Sequence, residues 1–485
     1  MFHELAAALA LIGIVILVAS LLSGIIERSG LPQVGIFLLL GVLVGPAGLN
    51  LVNLDLQSPA LQAIATLALV LVLFSDSIAV DVAEVKRQKK LALLVLGPGT
   101  LIPALLVGLA AWLLLGLSPL HAAILGAALA STDPVLLRNL LRRPSLPGTA
   151  RLALRLESGM NDAVLLPIVV LGALAIQSAH GLSPREFGQH AVGLFLLGPA
   201  LGALVGYTAI RLLEHVRARW GVRRDYESLY ALGVAFTAFA AAEAVDGSGF
   251  LAAFAAGLVV AGLDVELCDC FLDYGQATAE MFLLFTFVAF GAWLIWSGVS
   301  VADVSTLLFA LVALGARTVV LLPVLARAGV DPHSSRVIAW FGPRGLSSLL
   351  LILLPVFAGM PGSDRLFAIT CLVVLLSVVL HGAGIALFLR KDTGPVPAAP
   401  AEAAPRAQAV TMAADPVPER ITIAEVRKLE ADGKPYVLAD VRTDRTYASD
   451  PLEAKGSIRL PPDDAVRTAR KLGLDHHGTV VLYCA

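Results

Sequence analysis

Residues 120–141 read LHAAILGAALASTDPVLLRNLL, and this stretch sets the architecture of the whole chain. A membrane-spanning helix needs about 20 predominantly apolar residues, and this stretch is long enough. Pro134 lacks a backbone N–H and disfavours helical geometry at Asp133, so we expect the helix to break there. Irregular backbone at membrane depth is tolerated only where protein buries it or where it lines a cavity. The sequence therefore predicts a polar site inside the membrane.

A second break is predicted in residues 337–357, which contain the run FGPRG at 341–345. In the predicted topology this span and the first broken span run in opposite directions. Paired broken helices of opposite sense are typical of transporters built from inverted repeats, whose binding site lies where the helices meet. The predicted fold class is an all-α polytopic membrane protein with an inverted repeat and two broken crossing helices.

The composition supports a membrane protein. The chain has 485 residues, of which 58% are hydrophobic and 15% are charged, and its mean hydropathy is +0.83. Soluble domains are about 45–50% apolar and about 25% charged, so a purely soluble protein is excluded. The net charge of −2 gives no general attraction to nucleic acid. We predict about thirteen spans, at residues 5–26, 31–49, 60–80, 91–116, 120–141, 156–176, 191–213, 228–245, 248–263, 277–297, 304–326, 337–357 and 366–389.

Basic residues predict the orientation. With thirteen spans, most loop Lys and Arg residues fall on one side, and the opposite loops carry Arg185 and Arg365. Cytoplasmic loops carry the excess of Lys and Arg. We therefore expect a multi-pass protein of the cell (inner) membrane, with the N-terminus outside and the C-terminal tail in the cytoplasm.

Charged residues within the predicted spans mark candidate functional positions. Each costs about 2.5–3.5 kcal/mol at the bilayer centre on insertion scales, so it needs a functional or structural reason. The residues concerned are Asp76, Asp133, Glu157, Asp162, Glu243, Glu280, Arg317 and Arg344.

Span 156–176 begins with a dense set of polar residues. Ser158 and Asp162 are four residues apart and share one helix face, and Glu157 and Asn161 share the adjoining face. Hydroxyl, carboxylate and carbonyl oxygens are hard ligands, which suit a small monovalent cation rather than a soft metal. We expect no resident metal and no cofactor, with the transported cation as substrate.

Three motifs together resemble a known family. They are TDP at 132–134, ESGMND at 157–162 and GPRG at 342–345. In this order they are similar to the signatures of the NhaP-like sodium/proton antiporters, which belong to the monovalent cation:proton antiporter superfamily. The resemblance covers roughly residues 1–390, the predicted transmembrane antiporter domain.

The resemblance implies a role for each matching residue. Asp162 matches the carboxylate that binds either a cation or a proton. Asn161 matches a position that is Asn in the electroneutral branch, which implies one-for-one exchange. Thr132 and Ser158 match cation-coordinating positions, and Asp133 matches a residue that assists through water or by orienting other groups.

The resemblance also implies a structural ion pair between Glu157 and Arg344, which ties the carboxylate helix to the second broken helix. Arg317 matches a basic residue on the preceding helix. Asp76 matches, more loosely, an acidic residue that follows a Leu-Phe pair. The family further implies a homodimer in the lipid bilayer.

The composition changes after the last predicted span. Residues 391–418 are rich in Pro and Ala and predict a disordered linker. Residues 419–485 predict a small α/β unit, with strands at Tyr436–Val441 and Gly478–Tyr483. This unit resembles part of a rhodanese-like domain, whose reactive Cys would be Cys484. Because only Ala485 follows in this sequence, we expect no sulfurtransferase site in these residues.

The predicted function is secondary antiport of a monovalent cation against protons. Sodium is the expected cation, and potassium and lithium remain open. Competition of cation and proton for Asp162 would couple the two fluxes, and no enzymatic activity is expected. The alternatives are the same fold carrying another solute such as an organic anion, a membrane-tethered sulfurtransferase-like regulatory protein, and a channel without proton coupling.

Overall fold

A computed structural model describes most of the membrane part of the chain and scattered parts of the tail. The described residues are 13–18, 20–21, 33–51, 55–80, 82–141, 146–177, 183–220, 222, 224–263, 269–391, 426, 429, 436–441, 454, 456–460, 465, 468–469, 472–474 and 479–483. The chain divides into two compact units, Met1–Ala404 and Pro405–Ala485. Beyond Lys391 the predicted linker lies outside the described residues, as does Cys484.

In its described part, the first unit has only helical secondary structure. Its α-helices are α1 Gln33–Val44, α2 Pro59–Ile78, α3 Val82–Arg87, α4 Lys89–Leu96, α5 Pro98–Leu115, α6 Pro119–Ala130, α7 Pro134–Leu141, α8 Gly148–Gln177, α9 Pro184–Val192, α10 Gly198–Trp220, α11 Arg224–Glu243, α12 Gly249–Gly262, α13 Asp269–Ala292, α14 Ser297–Ser300, α15 Val304–Ala328, α16 Pro332–Trp340, α17 Leu346–Phe357 and α18 Ser363–Lys391. A π-helical turn, Gly193–Leu197, joins α9 to α10, and a 3-10 turn, Leu294–Trp296, precedes α14.

Seven helical stretches in the described residues are long and apolar enough to cross a membrane, and an eighth is the pair Thr278–Ala292 and Leu294–Ser300, bent by 55°. Four shorter apolar helices accompany them, at Gln33–Val44, Leu229–Glu243, Gly249–Gly262 and Leu346–Phe357. A multi-pass membrane protein is therefore confirmed, whereas the count of about thirteen spans stays a prediction.

Local sequence signals explain where several helices begin. Ser58, Ser118, Ser183 and Asp331 are N-caps whose side chains accept a backbone N–H of the first turn, and each is followed by proline. An N-cap oxygen satisfies a backbone donor that has no partner within the helix. Proline suits the first helical position because its missing N–H would be unpaired there in any case. These Ser-Pro and Asp-Pro pairs fix the starts of α2, α6, α9 and α16.

Small residues let helix backbones approach closely, as is typical of membrane interfaces. A Cβ atom added at Gly202 of α10 would fall on the Ala252 backbone of α12. A Cβ added at Gly291 of α13 would fall on the Leu38 backbone of α1. Both helix pairs therefore depend on glycine for their spacing.

Helix α8 occupies the centre of the unit. It packs against both halves of the first broken span, α6 and α7, and against both halves of the second, α16 and α17. It also packs against α2, α4 and α5. The polar start of this helix is thus placed next to both breaks.

The second unit contains a three-stranded parallel sheet of β1 Tyr436–Asp440, β2 Ile458–Arg459 and β3 Thr479–Tyr483, in the order β2-β1-β3. Strands β1 and β3 lie where the sequence predicts them. The rhodanese-like assignment of this unit stays a prediction.

Candidate functional site

The first break lies where Pro134 predicts it. Helix α6 ends at Ala130, α7 begins at Pro134, and the three residues between them are not helical. Ser131 has extended backbone geometry, with φ −61° and ψ 140°. This places Thr132 and Asp133 on irregular backbone in the buried centre of the unit, with exposed fractions of 1% each.

The second break also matches its prediction, and the two breaks touch each other. Helix α16 ends at Trp340 and α17 begins at Leu346. The backbone N–H of Asp133 donates to the carbonyl oxygen of Pro343 at 2.9 Å. A direct backbone hydrogen bond therefore joins the two irregular segments, and each supplies a partner that the other lacks.

The Asp133 carboxylate caps the N-termini of two helices. Its Oδ1 accepts the backbone N–H of Val135 in α7 at 2.8 Å, and its Oδ2 accepts the backbone N–H of Leu346 in α17 at 2.7 Å. A negative charge is favoured at a helix N-terminus, where the N–H groups point outward. A Cβ added at Gly345 would fall on this carboxylate, so the second break needs a residue without a side chain there.

Arg344 closes the end of the first broken helix. Its Nη1 donates to the carbonyl oxygens of Ala130 at 2.7 Å and Ser131 at 3.0 Å. Its own backbone N–H donates to the Ser377 hydroxyl of α18 at 2.7 Å. A cation is favoured at a helix C-terminus, where carbonyl oxygens lack partners. Arg344 thus acts on backbone carbonyls of the first break.

The expected ion pair between Glu157 and Arg344 is wrong, because Glu157 pairs with Arg317. Arg317 Nε contacts Glu157 Oε1 at 2.5 Å, and Arg317 Nη2 contacts Glu157 Oε2 at 2.5 Å. The remaining Nη1 donates to the carbonyl oxygens of Ile338 at 2.7 Å and Ala339 at 2.8 Å, at the end of α16. The planar guanidinium can hold a carboxylate with two donors and helix carbonyls with a third.

This pairing has a simple physical cause. Each broken helix leaves carbonyl oxygens without partners at the end of its first half, and each set attracts one arginine. Arg344 is committed to the end of α6, which leaves Arg317 of α15 to reach both the end of α16 and Glu157 of α8. Glu157 and Arg317 are 3% and 2% exposed, so water does not compete for the pair.

Asp162 lies on α8 beside both breaks and is 3% exposed. The hydroxyl of Ser131, at the first break, donates to its Oδ1. Ser347, in the first turn of α17, is buried near the same carboxylate. Asp133 is close enough for its charge to act on Asp162. Ser131 was not among the residues predicted from the sequence, although a hydroxyl next to a predicted break was a usable signal.

Asn161 and Thr132 are brought together, whereas Ser158 is directed elsewhere. Asn161 Nδ2 donates to Thr132 Oγ1 at 2.8 Å, which links α8 to the first break. The Ser158 hydroxyl donates to the Leu154 carbonyl oxygen of its own helix at 2.8 Å. Such back-bonding is common for Ser and Thr in helices and does not itself indicate a ligand.

Asp76 lies on α2 at its contact with α8. A Cβ built on Gly159 would be 3.5 Å from the Asp76 Cβ, so the two helices touch one residue after Ser158. The Asp76 side chain is half-buried. Its position next to α8 is compatible with the looser match made from the sequence.

The acidic residues farther from the breaks have hydrogen-bond partners of their own. Glu243 Oε1 accepts the backbone N–H of Gly249 at 2.8 Å, and Glu280 Oε1 accepts from Gln33 Nε2 at 3.2 Å. Glu243 also lines a cavity of about 360 Å³ together with His190, Val170 and other residues. Asp162 is not among the residues that line this cavity.

Within the ranges that the structure describes, no group of three or more His, Cys, Asp or Glu side chains is arranged to hold a metal ion. The polar atoms near Asp162 are carboxylate, hydroxyl and amide groups. These groups can hold a proton or a weakly bound cation, because hard oxygen ligands prefer ions of that kind.

Comparison with known proteins gives the family. The model of the family "Sodium/hydrogen exchanger, transmembrane" matches residues 13–391. The K(+)/H(+) antiporter NhaP of Alkalimonas amylolytica is 27% identical over 408 residues, which cover 81% of this chain and 69% of that protein. The Na(+)/H(+) antiporter NhaP of Pseudomonas aeruginosa is 25% identical over 355 residues, which cover 68% of this chain and 81% of the relative.

The chain spans less of some other relatives. It is 27% identical to the K(+)/H(+) antiporter NhaP2 of Shewanella sp. strain ANA-3 over 374 residues, which cover 76% of this chain but 64% of that protein. Among solved structures, the sodium proton antiporter MjNhaP1 from Methanocaldococcus jannaschii at pH 8 matches with a TM-score of 0.66 and 20% identity. The match covers 78% of this chain and 100% of that one, and it shows a shared fold.

The family match covers most of the chain, including both breaks and the whole of α8. Its members are transporters and not enzymes. The chain therefore belongs to the sodium/hydrogen exchanger family.

Proposed function

We propose that this protein exchanges a monovalent cation for protons across a membrane, and that Asp162 is the group that holds each in turn. The relatives support cation/proton antiport, since their names give K(+)/H(+) and Na(+)/H(+) antiporters. Sodium is the proposed cation and potassium is the alternative. The proposed stoichiometry is one for one, from Asn161 at the position that is Asn in electroneutral relatives.

The observation that carries the proposal is the charge balance around the breaks. The Glu157 carboxylate is held by Arg317, and the Asp133 carboxylate holds the first N–H groups of two helices. For Asp162, by contrast, none of the described Lys or Arg residues forms an ion pair. An ionised carboxylate that is buried without a compensating charge is costly. Asp162 therefore favours either a bound proton or a bound cation.

This preference gives a coupling rule. Proton and cation compete for the same carboxylate oxygens, so one excludes the other. With either bound, the site carries no net charge and can pass between the two sides of the membrane. When empty, it carries an uncompensated charge, which disfavours the passage. Alternation between the two loaded forms produces exchange. Because the empty form does not cross, the site cannot carry one ion without returning with the other.

The remaining proposed ligands come from the first break and from α8. Thr132, Ser158 and Asn161 supply oxygens close to the first break and on α8, while Asp133 fixes the helix ends that bound the site. Asp76 is proposed as a further acidic group on the approach to α8, and Arg317 together with Glu157 as a structural pair.

We also propose the domain organisation, membrane orientation and oligomeric state of the whole chain. Residues 1–390 form the antiporter domain with about thirteen spans in an inverted repeat, residues 391–418 a linker, and residues 419–485 a partial rhodanese-like domain. The protein lies in the inner membrane with its N-terminus outside and its tail in the cytoplasm. Two copies associate as a homodimer.

The test is proton flux in inverted vesicles from a host that lacks its own antiporters. Adding NaCl or KCl should dissipate an imposed pH gradient in vesicles with the unchanged protein. Asp162→Asn should abolish this response, because the amide cannot exchange a proton for a cation. Asp364→Asn serves as a matched control, since Asp364 is exposed in the first turn of α18. Full flux with Asp162→Asn would end the proposal.

Competition also fixes the sign of the pH dependence. Lower pH should raise the cation concentration needed for half-maximal exchange, because protons occupy a larger fraction of the shared carboxylate. The exchange rate should not depend on an imposed membrane potential if the ratio is one to one. A half-maximal concentration that is independent of pH would contradict a shared binding group.

A further inference from the structure

One face of α18 supports the second break. Ser377 and His381 share this face because they are four residues apart in the helix. The Ser377 hydroxyl accepts the backbone N–H of Arg344, inside the break, at 2.7 Å. The His381 ring packs against Trp340, the last residue of α16, with ring centroids 6.2 Å apart. This face therefore contacts the chain where it enters the break and again within it.

His381 also contacts the hydroxyl that holds Arg344. Its Nδ1 lies 3.0 Å from Ser377 Oγ. A serine hydroxyl has one donor and two acceptor lone pairs. With the imidazole proton on Nε2, the hydroxyl accepts from Arg344 and donates to His381 at the same time. The imidazole then fixes the rotation of the hydroxyl and keeps an oxygen lone pair directed at the Arg344 N–H.

Thr370 of the same helix shows the more usual use of a buried hydroxyl. Its Oγ1 donates to the Leu366 carbonyl oxygen, one turn earlier in α18, at 2.9 Å. Such back-bonding to the same helix is common for Ser and Thr. Thr370 and Ser377 are both 0% exposed, so they differ in their partners and not in their burial. The Ser377 hydroxyl is thus used to join two parts of the fold.

A continuous series of hydrogen bonds leads from this face of α18 to Asp162. His381 contacts Ser377, and Ser377 accepts the Arg344 N–H. Arg344 Nη1 donates to the carbonyl oxygen of Ser131 at 3.0 Å, and the Ser131 hydroxyl donates to Asp162 Oδ1. These five residues have exposed fractions between 0% and 4%, so water does not compete for the series. A displacement of Arg344 would therefore reach the residue that binds Asp162.

We propose that Ser377 and His381 are positioning residues for cation exchange. They hold Arg344 where its guanidinium aligns Ser131 with Asp162. Neither side chain has to touch the cation, so their effect is on the affinity of the site for its ion. This inference rests on the proposed antiport function and adds to it two residues of α18 that lie outside the three sequence motifs.

The first test removes the acceptor of the Arg344 N–H. Ser377→Ala should raise the half-maximal cation concentration for exchange in vesicles by about two- to tenfold. Thr370→Val is the matched control and should leave this concentration unchanged, because it removes a buried hydroxyl that binds only its own helix. The maximal rate does not decide the question, since it also falls when less protein folds. An unchanged half-maximal concentration with Ser377→Ala would overturn the proposal.

Two substitutions of His381 separate its hydrogen bond from its packing. His381→Phe keeps a ring against Trp340 but cannot accept from Ser377. His381→Asn loses the ring but places a carbonyl oxygen where Nδ1 stood. The phenylalanine variant should raise the half-maximal cation concentration, whereas the asparagine variant should stay near the unchanged protein even if its unfolding midpoint falls. The reverse order would give His381 a packing role and overturn its assignment.

A double variant tests the connection itself. Ser131→Ala and Ser377→Ala interrupt the same series, so their joint increase in half-maximal concentration should be smaller than the product of the two single increases. Increases that multiply would mean that the two hydroxyls act independently, and would overturn the proposal. Failure of the antiport proposal looks different, because the unchanged protein would then show no proton flux with either NaCl or KCl.

Discussion

The two breaks contribute side chains of opposite charge. These side chains, together with Arg317, bind the free backbone groups at the helix ends of the two breaks. The first break contributes Asp133, which holds the starts of α7 and α17. The second contributes Arg344, which holds the end of α6. The end of α16 is held by Arg317, which comes from α15. The difference shows that neither broken helix is electrostatically complete by itself.

The breaks also differ in how they reach the helix that carries Asp162. The first is joined to α8 by hydrogen bonds without an ion pair, from Asn161 to Thr132 and from Ser131 to Asp162. The second is joined through a buried ion pair, from Arg317 to Glu157. Disrupting the second link should therefore affect stability more than disrupting the first.

Removal of Arg317 is expected to have the largest effect. Arg317→Ala leaves Glu157 buried without its partner, which costs about 3–5 kcal/mol in the free energy of unfolding. The unfolding midpoint in detergent should fall sharply. Arg327→Ala is the control on the same helix, because Arg327 is exposed and its Nη1 makes a long contact of 3.4 Å. A double-mutant cycle in which Glu157 couples to Arg344 instead would refute the observed pairing.

Loss of Asp133 should cause the next largest loss of stability. Asp133→Ala removes the acceptors of two helix starts, at a cost of roughly 1–4 kcal/mol if each behaves as an N-cap. Asp133→Asn keeps one carbonyl acceptor and should lie between the unchanged protein and the alanine variant. Equal unfolding midpoints for the asparagine variant and the unchanged protein would show that neither the charge nor the second acceptor contributes.

Gly345→Ala tests the contact between the breaks by size alone. The added methyl group would fall on the Asp133 carboxylate and push α17 away from it. Overpacking of this kind costs about 1–3 kcal/mol. Gly315→Ala is the control, since a Cβ at Gly315 of α15 would meet open space. Exchange should fall in the first variant and persist in the second.

The smallest effect is expected at an exposed helix cap. Asp303 accepts the backbone N–H of Thr306 at the start of α15, and these hydrogen bonds lower the pKa of Asp303 to about 2. Because the folded pKa is depressed, the stabilisation is present above the unfolded value of about 3.9 and is lost as pH falls toward 2. Asp303→Ala should lower the unfolding midpoint slightly at pH 6, and this difference should shrink below pH 3. An equal difference at both values would show that the charge of Asp303 contributes nothing.

The positions of the breaks were predictable because proline acts locally. Pro134 excludes a helical hydrogen bond within a few residues, and the same holds for Pro343. The signature motifs also sufficed for the family, because they are contiguous in the chain. Local rules therefore located both breaks and the family.

The partners of the charged residues were not predictable in the same way. Arg317 and Glu157 are separated by 160 positions in the chain. Spacing along the chain does not say which of two buried arginines faces a given acid, since that depends on how helices pack. Ser131 illustrates the same limit, because its hydrogen bond to Asp162 of α8 becomes apparent only when the first break and α8 are placed together.

Asp133 caps the starts of two helices with one side chain, and this has a practical consequence for protein engineering. Anyone who transplants the proposed ion site into another scaffold has to move both interrupted spans together. A graft of one span alone would arrive with a bare helix end and an arginine or aspartate facing nothing of opposite sign.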